Sequence, residues 1–347
     1  MAAASAGNCP GDNSGPASAR PETVEVTRTR TRPPAVHHPT LAPHAPVIER
    51  GDGQLQVGID PQSAVILSGP AAARLLAALD GQTPVGDVIA AGRSAGLTRK
   101  TAAATLELLV EAGLVLDAQS PGPAPAWSVR LVGAGSIGRE VAELLTASGV
   151  AELYVFDDNP PDRALYPSAG VLPCRSQALC ALLDERADVS AQPVSHWTRP
   201  NRSVDLTVVV ADGPEVDRIV TDHLLRTDSP HLLVRCLGAT AVVGPLVRPG
   251  HTSCLHCHDL ARRDADPQWP LVLDQLCRVE VEPTPVVAAW AASAAAAQAL
   301  AFLAGEPVEV ESCTYELGAP DYAVRLRAWP AHPECGCTWL GPTQWGP

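Results

Sequence analysis

The sequence contains a single lysine, Lys100, and its formal net charge is −13 at pH 7. Proteins that bind nucleic acid non-specifically, or that bind anionic membrane surfaces, need clustered Lys and Arg. The acidic balance therefore argues against both partners and favours a peptide or a small molecule. Phe and Tyr together number only six in 347 residues. The core of such a chain must therefore be built mainly from Ala, Val and Leu.

The N-terminus also lacks the basic and then apolar segment of a secretory signal. We therefore expect a cytoplasmic protein whose ten cysteines stay reduced and serve as metal ligands, catalytic groups or core residues. One uncharged run, residues 286–304, has the length of a membrane span. Its alanine content, together with Ser293 and Gln298, instead predicts a helix buried against a sheet, so no membrane partner is expected.

Three segments precede the main domain. Residues 1–45 are rich in Pro, Ala, Ser and Thr and show no apolar period, which predicts a disordered tail. Residues 46–118 predict a hairpin, three short helices and a closing strand, a pattern typical of a winged-helix-like α+β module. Residues 119–126 contain three prolines and are predicted to be a linker.

The small module is a poor candidate for DNA binding, because residues 46–118 carry five basic and eight acidic side chains. A winged helix can instead take an extended peptide along an exposed strand edge. The segment resembles the PqqD-like recognition domains, which capture the leader peptides of ribosomally made, modified peptides. The alternative is a domain that only packs on its neighbour.

The segment 127–158 predicts a strand, a glycine turn, a helix and a second strand that ends on acidic residues. Gly133, Gly135 and Gly138 have the G-x-G-x-x-G spacing, in which missing side chains let backbone N–H groups and a helix N-terminus approach a phosphate. Asp157 follows at the distance where a carboxylate accepts hydrogen bonds from ribose hydroxyls. This order predicts a nucleotide-binding β-α-β unit.

Residues 204–211 predict a buried parallel strand that ends at Asp212. Further strands over 231–237 and 241–247 extend the prediction to a doubly wound, mostly parallel, Rossmann-like sheet within residues 127–347. Ligands of such sheets lie at the carboxyl ends of the strands. Gly133, Asp157 and Asp212 are therefore expected on one rim.

Two close cysteine pairs lie far apart in the sequence: Cys254 with Cys257, and Cys335 with Cys337. Each pair supplies two thiolates from a tight turn, as a tetrahedral structural zinc site requires. Such a site stabilises a fold and leaves no position open for catalysis. Nearby histidines are alternative ligands or neighbours of the site, namely His256, His258 and His332.

This succession of motifs resembles the ThiF/MoeB family, the bacterial relatives of ubiquitin-activating enzymes. The most specific parts are the cysteine pairs and the spacing of Cys277, eight residues before Pro285, which opens an alanine-rich helix. The resemblance implies ATP-dependent adenylation of a C-terminal carboxylate on a small protein or peptide. It further implies phosphate binding by the glycine loop, ribose binding by Asp157, magnesium binding by Asp212, a catalytic Cys277 and a homodimer.

The sequence departs from the family where Arg and Lys should contact phosphate. Residues 158–186 contain no lysine, and Arg163 and Arg175 are the possible substitutes on a loop. Two hypotheses therefore stay open. In the first, the protein is an adenylyltransferase that uses ATP and magnesium. In the second, it is a degenerate relative that presents a leader peptide to a partner modification enzyme, such as an azoline-forming cyclodehydratase.

Two further expectations concern the region before the alanine-rich helix. Arg278 and the N-terminus of that helix are expected to lower the pKa of Cys277, although a small buried thiol is an equal alternative. Residues 258–270 are expected to form a loop that covers the site or contacts the peptide, with Arg262, Arg263 and Trp269 as contacts. A solvated loop is the alternative there.

Overall fold

The computed structural model describes residues 36–118, 126–184, 190–201 and 203–338, and the chain divides into two compact units between Pro121 and Gly122. Most of the predicted disordered tail, residues 1–35, lies outside the described residues. The same holds for residues 119–125 of the predicted linker.

In the part of unit 1 that the structure describes, three helices combine with two small antiparallel sheets. One sheet pairs β1 with β5, and the other has the order β2-β3-β4. The strands are β1 (Pro39–Leu41), β2 (Val47–Glu49), β3 (Gln54–Val57), β4 (Val65–Ser68) and β5 (Val115–Asp117). The helices are α1 (Pro70–Ala77), α2 (Val85–Ser94) and α3 (Arg99–Glu111).

Unit 1 begins earlier than the predicted boundary at residue 46. Strand β1 pairs with β5, and the Asp117 carboxylate accepts hydrogen bonds from the backbone amides of His37 and His38. Ala42 and Ala45 are buried in the core of the unit. The sequence of residues 36–45 does not reveal this strand, because three residues among prolines carry no apolar period.

Unit 2 is built on one eight-stranded sheet of order β13-β12-β11-β10-β9-β6-β7-β8. Its strands are β6 (Ser128–Val132), β7 (Glu152–Phe156), β8 (Ser190–Pro193), β9 (Leu206–Val210), β10 (His231–Cys236), β11 (Thr240–Val247), β12 (Cys313–Gly318) and β13 (Ala323–Ala328). Its helices are α4 (Ser136–Ala147), α5 (Arg175–Asp184), α6 (Arg218–Arg226), α7 (Leu255–Ala265), α8 (Trp269–Leu276) and α9 (Pro285–Leu303).

The predicted fold class is confirmed at the level of a mixed α/β unit with a large, mostly parallel sheet. Strands β10, β9, β6, β7 and β8 are parallel to one another. The pairs β10–β11, β11–β12 and β12–β13 are antiparallel. Strands β12 and β13 were not predicted.

Helix α9 is the uncharged run that has the length of a membrane span. By length and composition alone it is apolar enough to cross a bilayer. One of its faces carries small residues such as Ala291, Ala292 and Ala295, which are fully buried in the core of unit 2. Small side chains let this helix approach α4 and the sheet closely, and α9 contacts α4, β9, β10 and β11.

Candidate functional site

The glycine turn after β6 is closed so tightly that side chains do not fit. Gly133 has φ +96°, and a Cβ there would lie 2.1 Å from the carbonyl oxygen of Val210. A Cβ on Gly138 would lie 2.1 Å from the Gly133 carbonyl oxygen. A Cβ on Gly135 would lie 2.1 Å from Oδ1 of Asp212. The backbone of the turn therefore packs directly against the end of β9 and the start of α4.

Asp157 directly follows β7 and is only 5% exposed. Its Oδ2 accepts a hydrogen bond from the Ala134 amide over 2.7 Å, and its Oδ1 accepts one from the Asn159 amide over 2.9 Å. Burial raises the pKa of this carboxyl, and the two amides and Arg175 oppose that shift. Each carboxylate oxygen can accept two hydrogen bonds, and each oxygen of Asp157 accepts one from a backbone amide. Asp157 can therefore accept further hydrogen bonds from a ligand.

Arg175 is the cation of this rim. It is the first residue of α5, not a loop residue, and its guanidinium forms an ion pair with Asp212. Its Nη1 also lies 3.7 Å from Oδ2 of Asp157. The Arg175 backbone amide donates to the carbonyl of Asn159, which fixes where the helix begins. Arg175, one of the two arginines named as substitutes for the missing lysine, therefore lies beside both acids.

The rim contains a cavity of about 470 Å³. Its lining includes Gly135, Ser136 and Ile137 from the first turn of α4, together with Arg175 and Asp212. Gly135 is the N-cap of α4, and no side chain caps the helix there. Backbone N–H groups at an uncapped helix N-terminus favour an anion, and Arg175 adds a full positive charge.

A second cavity of about 380 Å³ shares Asp212 with the first. Phe156, Asp157, Asp158 and Asn159 line it at the end of β7. Of the five residues predicted for the nucleotide site, Gly133, Asp157 and Asp212 lie at the carboxyl ends of β6, β7 and β9, and Gly135 and Gly138 lie at the N-cap and in the first turn of α4.

The segment between α8 and α9 crosses over this rim. The Val281 amide donates to the Asp212 carbonyl over 2.8 Å. A Cβ on Gly213 would lie 2.0 Å from the Val279 carbonyl oxygen, so a side chain at Gly213 would push the segment away. Residues 280–283 line the larger cavity as a result. The crossing segment thus forms one wall of the site.

Cys277 lines the smaller cavity, but its surroundings differ from those expected. It is the C-cap of α8, and its Sγ lies 3.7 Å from the Val216 carbonyl oxygen. The exposed Arg278 pairs with Asp274. Burial raises the pKa of the Cys277 thiol, so the expectation of a lowered pKa is wrong. A helix C-terminus also disfavours a thiolate, because its dipole end is negative.

Residues 258–270 are mainly helical, in α7 and α8, and some of their side chains make contacts within the protein. Arg262 donates to Oε1 of Glu215 over 3.0 Å. Trp269 donates its indole N–H to Oδ1 of Asp259 over 3.1 Å, and Arg262 lies over the Trp269 ring. These contacts give the predicted peptide contacts Arg262 and Trp269 an internal role. Arg263 is more exposed and pairs with Glu334.

Glu215 is the centre of a buried ionic cluster that sequence reasoning missed. Its side chain is 2% exposed and accepts hydrogen bonds from Arg218, Arg235 and Arg262. Arg218 also forms two hydrogen bonds with Asp259. The five residues come from the loop before α6 and from α6, β10 and α7, so no local spacing could reveal them.

The four predicted zinc ligands do come together. Cys254 and Cys335 have their Sγ atoms 3.5 Å apart, Cys257 and Cys337 have theirs 3.4 Å apart, and all four sulfurs lie within 4.8 Å of one another. Zn–S bonds of about 2.3 Å place the sulfurs of a tetrahedron about 3.8 Å apart. The spacing therefore fits a four-thiolate metal site.

The neighbouring histidines have other contacts. His258 is fully buried and stacks on Trp329 with ring centroids 4.2 Å apart. His332 pairs through Nε2 with Asp264 over 2.9 Å, and its Nδ1 accepts a hydrogen bond from the Glu334 amide. The cysteines alone make up the metal-ligand group within the described residues.

No profile of a known protein family matches the chain. The sulfur carrier protein ThiS adenylyltransferase of Bacillus subtilis strain 168 is 28% identical over 145 residues. That match covers 37% of this chain and 42% of the relative, so it spans less than half of the relative's length.

Solved structures match over more of the chain. E. coli MccB with ATP superimposes with a TM-score of 0.67 at 18% identity, covering 86% of this chain and 99% of MccB. The microcin C7 biosynthetic enzyme MccB in complex with N-formylated MccA has a TM-score of 0.65 over the same shares. The heterocyclase TruD has a TM-score of 0.56 at 15% identity, covering 87% of this chain and 43% of TruD.

At these identities the structural matches establish the fold. The sequence match to the adenylyltransferase is a separate similarity. Unit 2 contains 226 of the 347 residues, so a match to 86% of the chain extends into unit 1 as well. The matched sequence and the fold are both similar to those of ThiF/MoeB-like proteins.

Proposed function

We propose that the protein is an ATP-dependent adenylyltransferase that activates a carboxylate of a ribosomally made peptide or small protein. The observation that carries this proposal is the meeting of the uncapped first turn of α4, Arg175 and Asp212 in one cavity. MccB has been crystallised with ATP and with the peptide MccA. Because the fold of this chain is similar to that of MccB, we propose that it binds the same kinds of ligand.

In the proposed reaction, an oxygen of the peptide carboxylate attacks the α-phosphorus of ATP and pyrophosphate leaves, which yields an acyl adenylate. Charge builds up on the phosphate oxygens, and fixed donors lower the barrier most when they are already oriented. The amides of Ser136 and Ile137 and the guanidinium of Arg175 are such donors. Asp157, with Asp158 beside it, is the acceptor for the ribose hydroxyls.

Magnesium enters as part of the MgATP substrate. Asp212 lines both cavities, and a carboxylate is a ligand type that Mg²⁺ takes together with phosphate oxygens. The carboxylate is paired with Arg175, so we propose that this ion pair opens when MgATP binds. The Arg175 guanidinium then releases the Asp212 carboxylate and contacts a phosphate of the nucleotide.

Zinc is the proposed metal of the four cysteines. The set Cys254, Cys257, Cys335 and Cys337 offers only thiolates, which is the donor set of structural zinc sites. Burial raises the pKa of the Cys335 thiol, and a bound cation is what stabilises such a thiolate. The metal would join the segment after β13 to the start of α7, without a part in the chemistry.

Unit 1 is proposed to be a PqqD-like, winged-helix-like domain that binds the leader segment of the substrate. The β2-β3-β4 sheet has two edge strands, and Ile48 and Ile66 flank Gln56 on its outer face. Both isoleucines are substantially exposed. An extended peptide that adds a strand to such a sheet gains backbone hydrogen bonds and apolar contacts.

A second candidate function is the degenerate relative that presents a leader peptide to a partner modification enzyme. The observation in its favour is the match to the heterocyclase TruD, of which this chain corresponds to 43%. In that case the nucleotide site would be structural, and the Arg175–Asp212 ion pair would stay closed. A two-fold homodimer is proposed under either function.

The test is magnesium-dependent exchange between ATP and pyrophosphate by the purified full-length protein, with candidate precursor peptides encoded beside its gene. We expect exchange in the wild type and in Asp274→Ala, which removes an exposed acid of α8. We expect its loss in Asp212→Ala. A wild type that neither exchanges nor binds ATP by calorimetry would reject the adenylyltransferase and leave the presenting role.

A further inference from the structure

Two side chains hold the buried residue Ala134 in the glycine turn. Its amide donates to Oδ2 of Asp157 over 2.7 Å, and its carbonyl oxygen accepts a hydrogen bond from the phenol of Tyr166 over 2.7 Å. Ala134 is fully buried, so both of its backbone groups need such partners. The turn is therefore fixed by two side chains from outside it.

The planarity of the peptide bond extends this effect to the next residue. In a trans peptide the C=O of one residue and the N–H of the next point in opposite directions. A bond from Tyr166 to the Ala134 carbonyl therefore sets the direction of the Gly135 N–H. Gly135 is the N-cap of α4 and lines the larger cavity.

Tyr166 is itself rigidly held. It is 4% exposed, and its amide donates to the Asp162 carbonyl over 2.7 Å. The carbonyl of the preceding Leu165 accepts a hydrogen bond from Arg139 of α4 over 2.9 Å. Burial raises the pKa of the Tyr166 phenol, so its hydroxyl keeps the proton that it donates. The segment around Tyr166 is thus joined both to the glycine turn and to the helix that follows the turn.

We propose that Tyr166 is a positioning residue for the phosphate site. It does not touch the nucleotide, and it holds the Ala134–Gly135 peptide in the orientation that directs the Gly135 amide toward phosphate. This role rests on the proposed function, because it takes ATP as the ligand of the larger cavity. The sequence motifs described above include the glycines and the acids of this site, but they do not include Tyr166.

The variant Tyr166→Phe keeps the buried ring and removes only the donor. Calorimetry with ATP is expected to give a Kd that is roughly 3- to 10-fold higher than that of the wild type. The KM for ATP in the exchange reaction should rise in step, whereas the KM for the peptide should not change. The matched control is Tyr315→Phe, which removes a phenol that donates to Glu309.

A purely structural role for Tyr166 would lower the unfolding midpoint but leave the Kd for ATP unchanged at temperatures where both proteins are folded. Equal affinities of the wild type and Tyr166→Phe for ATP would overturn the positioning role and leave the proposed function intact. A wild type that binds no ATP would instead reject the proposed function itself, and the positioning role with it.

Discussion

Arg175 and Asp212 form an ion pair that joins the start of α5 to the end of β9. The guanidinium also lies near Asp157, so one cation serves two acids of the rim. Both members of the pair line the larger cavity beside the first turn of α4. An anionic ligand in this cavity would therefore meet a positive charge that is already in place.

The first prediction concerns that charge. Arg175→Ala should raise the Kd for ATP roughly 10- to 100-fold, because a charge-assisted contact to phosphate is lost. Arg175→Lys should retain part of the affinity, since the charge stays but the bidentate geometry does not. The matched control is Arg163→Ala, which removes an exposed arginine of the same connection. A loss of affinity in Arg163→Ala alone would move the phosphate contact to that residue.

Local sequence signals predicted the parts of the site that depend on short spacings. The strand, the three glycines and the acids after β7 and β9 all lie within a few residues of an apolar run, so periodicity and turn chemistry locate them. The four cysteines were found in the same way. Sequence alone could not place Arg175 beside Asp212, because that contact depends on the path of residues 158–174, which has no regular period.

The ionic cluster around Glu215 was missed for a similar reason. Its arginines lie on α6, β10 and α7, and only the tertiary fold brings them to one carboxylate. The prediction of a loop over 258–270 was wrong, because the charged residues of this segment are typical of a solvated loop. In the structure Asp259, Arg262 and Arg263 are paired, and pairing is what allows charged side chains to be partly buried.

The second prediction concerns the glycine turn. Gly135 has φ −70°, which alanine adopts without strain, so Gly135→Ala isolates the clash of its Cβ with the Asp212 carboxylate. We expect a loss of about 1–3 kcal/mol in the free energy of unfolding. All seven tryptophans belong to unit 2, so tryptophan fluorescence during urea unfolding reports on this unit. Val171→Ala is the control, because it truncates a side chain of the same unit that is 99% exposed.

The third prediction concerns the metal. Purified protein should contain about one equivalent of zinc, and Cys337→Ser should lose it together with stability. Cys313→Ser, which lies outside the cluster, should keep the metal. Elemental analysis of both variants measures this directly. Less than about half an equivalent in the wild type would count against a structural site.

The fourth prediction concerns Cys277. Because burial raises the pKa of its thiol, the thiolate fraction is small at neutral pH and grows only as the pH rises toward that pKa. Alkylation by iodoacetamide, followed at this residue by mass spectrometry, should therefore be slow at pH 7 and accelerate in alkaline solution. Cys277→Ala should leave ATP–pyrophosphate exchange intact. Fast alkylation at pH 7 would instead support a nucleophilic role after adenylation.

The last prediction concerns the carboxylate at the centre of the ionic cluster. Glu215→Gln keeps the shape of the side chain but removes the negative charge that faces Arg218, Arg235 and Arg262. Burial lowers the pKa of Arg235 to about 10, and the charge of Glu215 opposes this shift, so the guanidinium loses its main compensation.

Removal of one partner from a buried ion pair costs about 3–5 kcal/mol, so we expect a loss of that size in the free energy of unfolding. The control is Glu311→Gln, which breaks the more exposed ion pair with Arg248 and should change the free energy by less than about 1 kcal/mol. Urea unfolding followed by tryptophan fluorescence compares the two. Equal effects would mean that the cluster adds no more to stability than a surface pair, and that helix α7 is held over the sheet by apolar contacts alone.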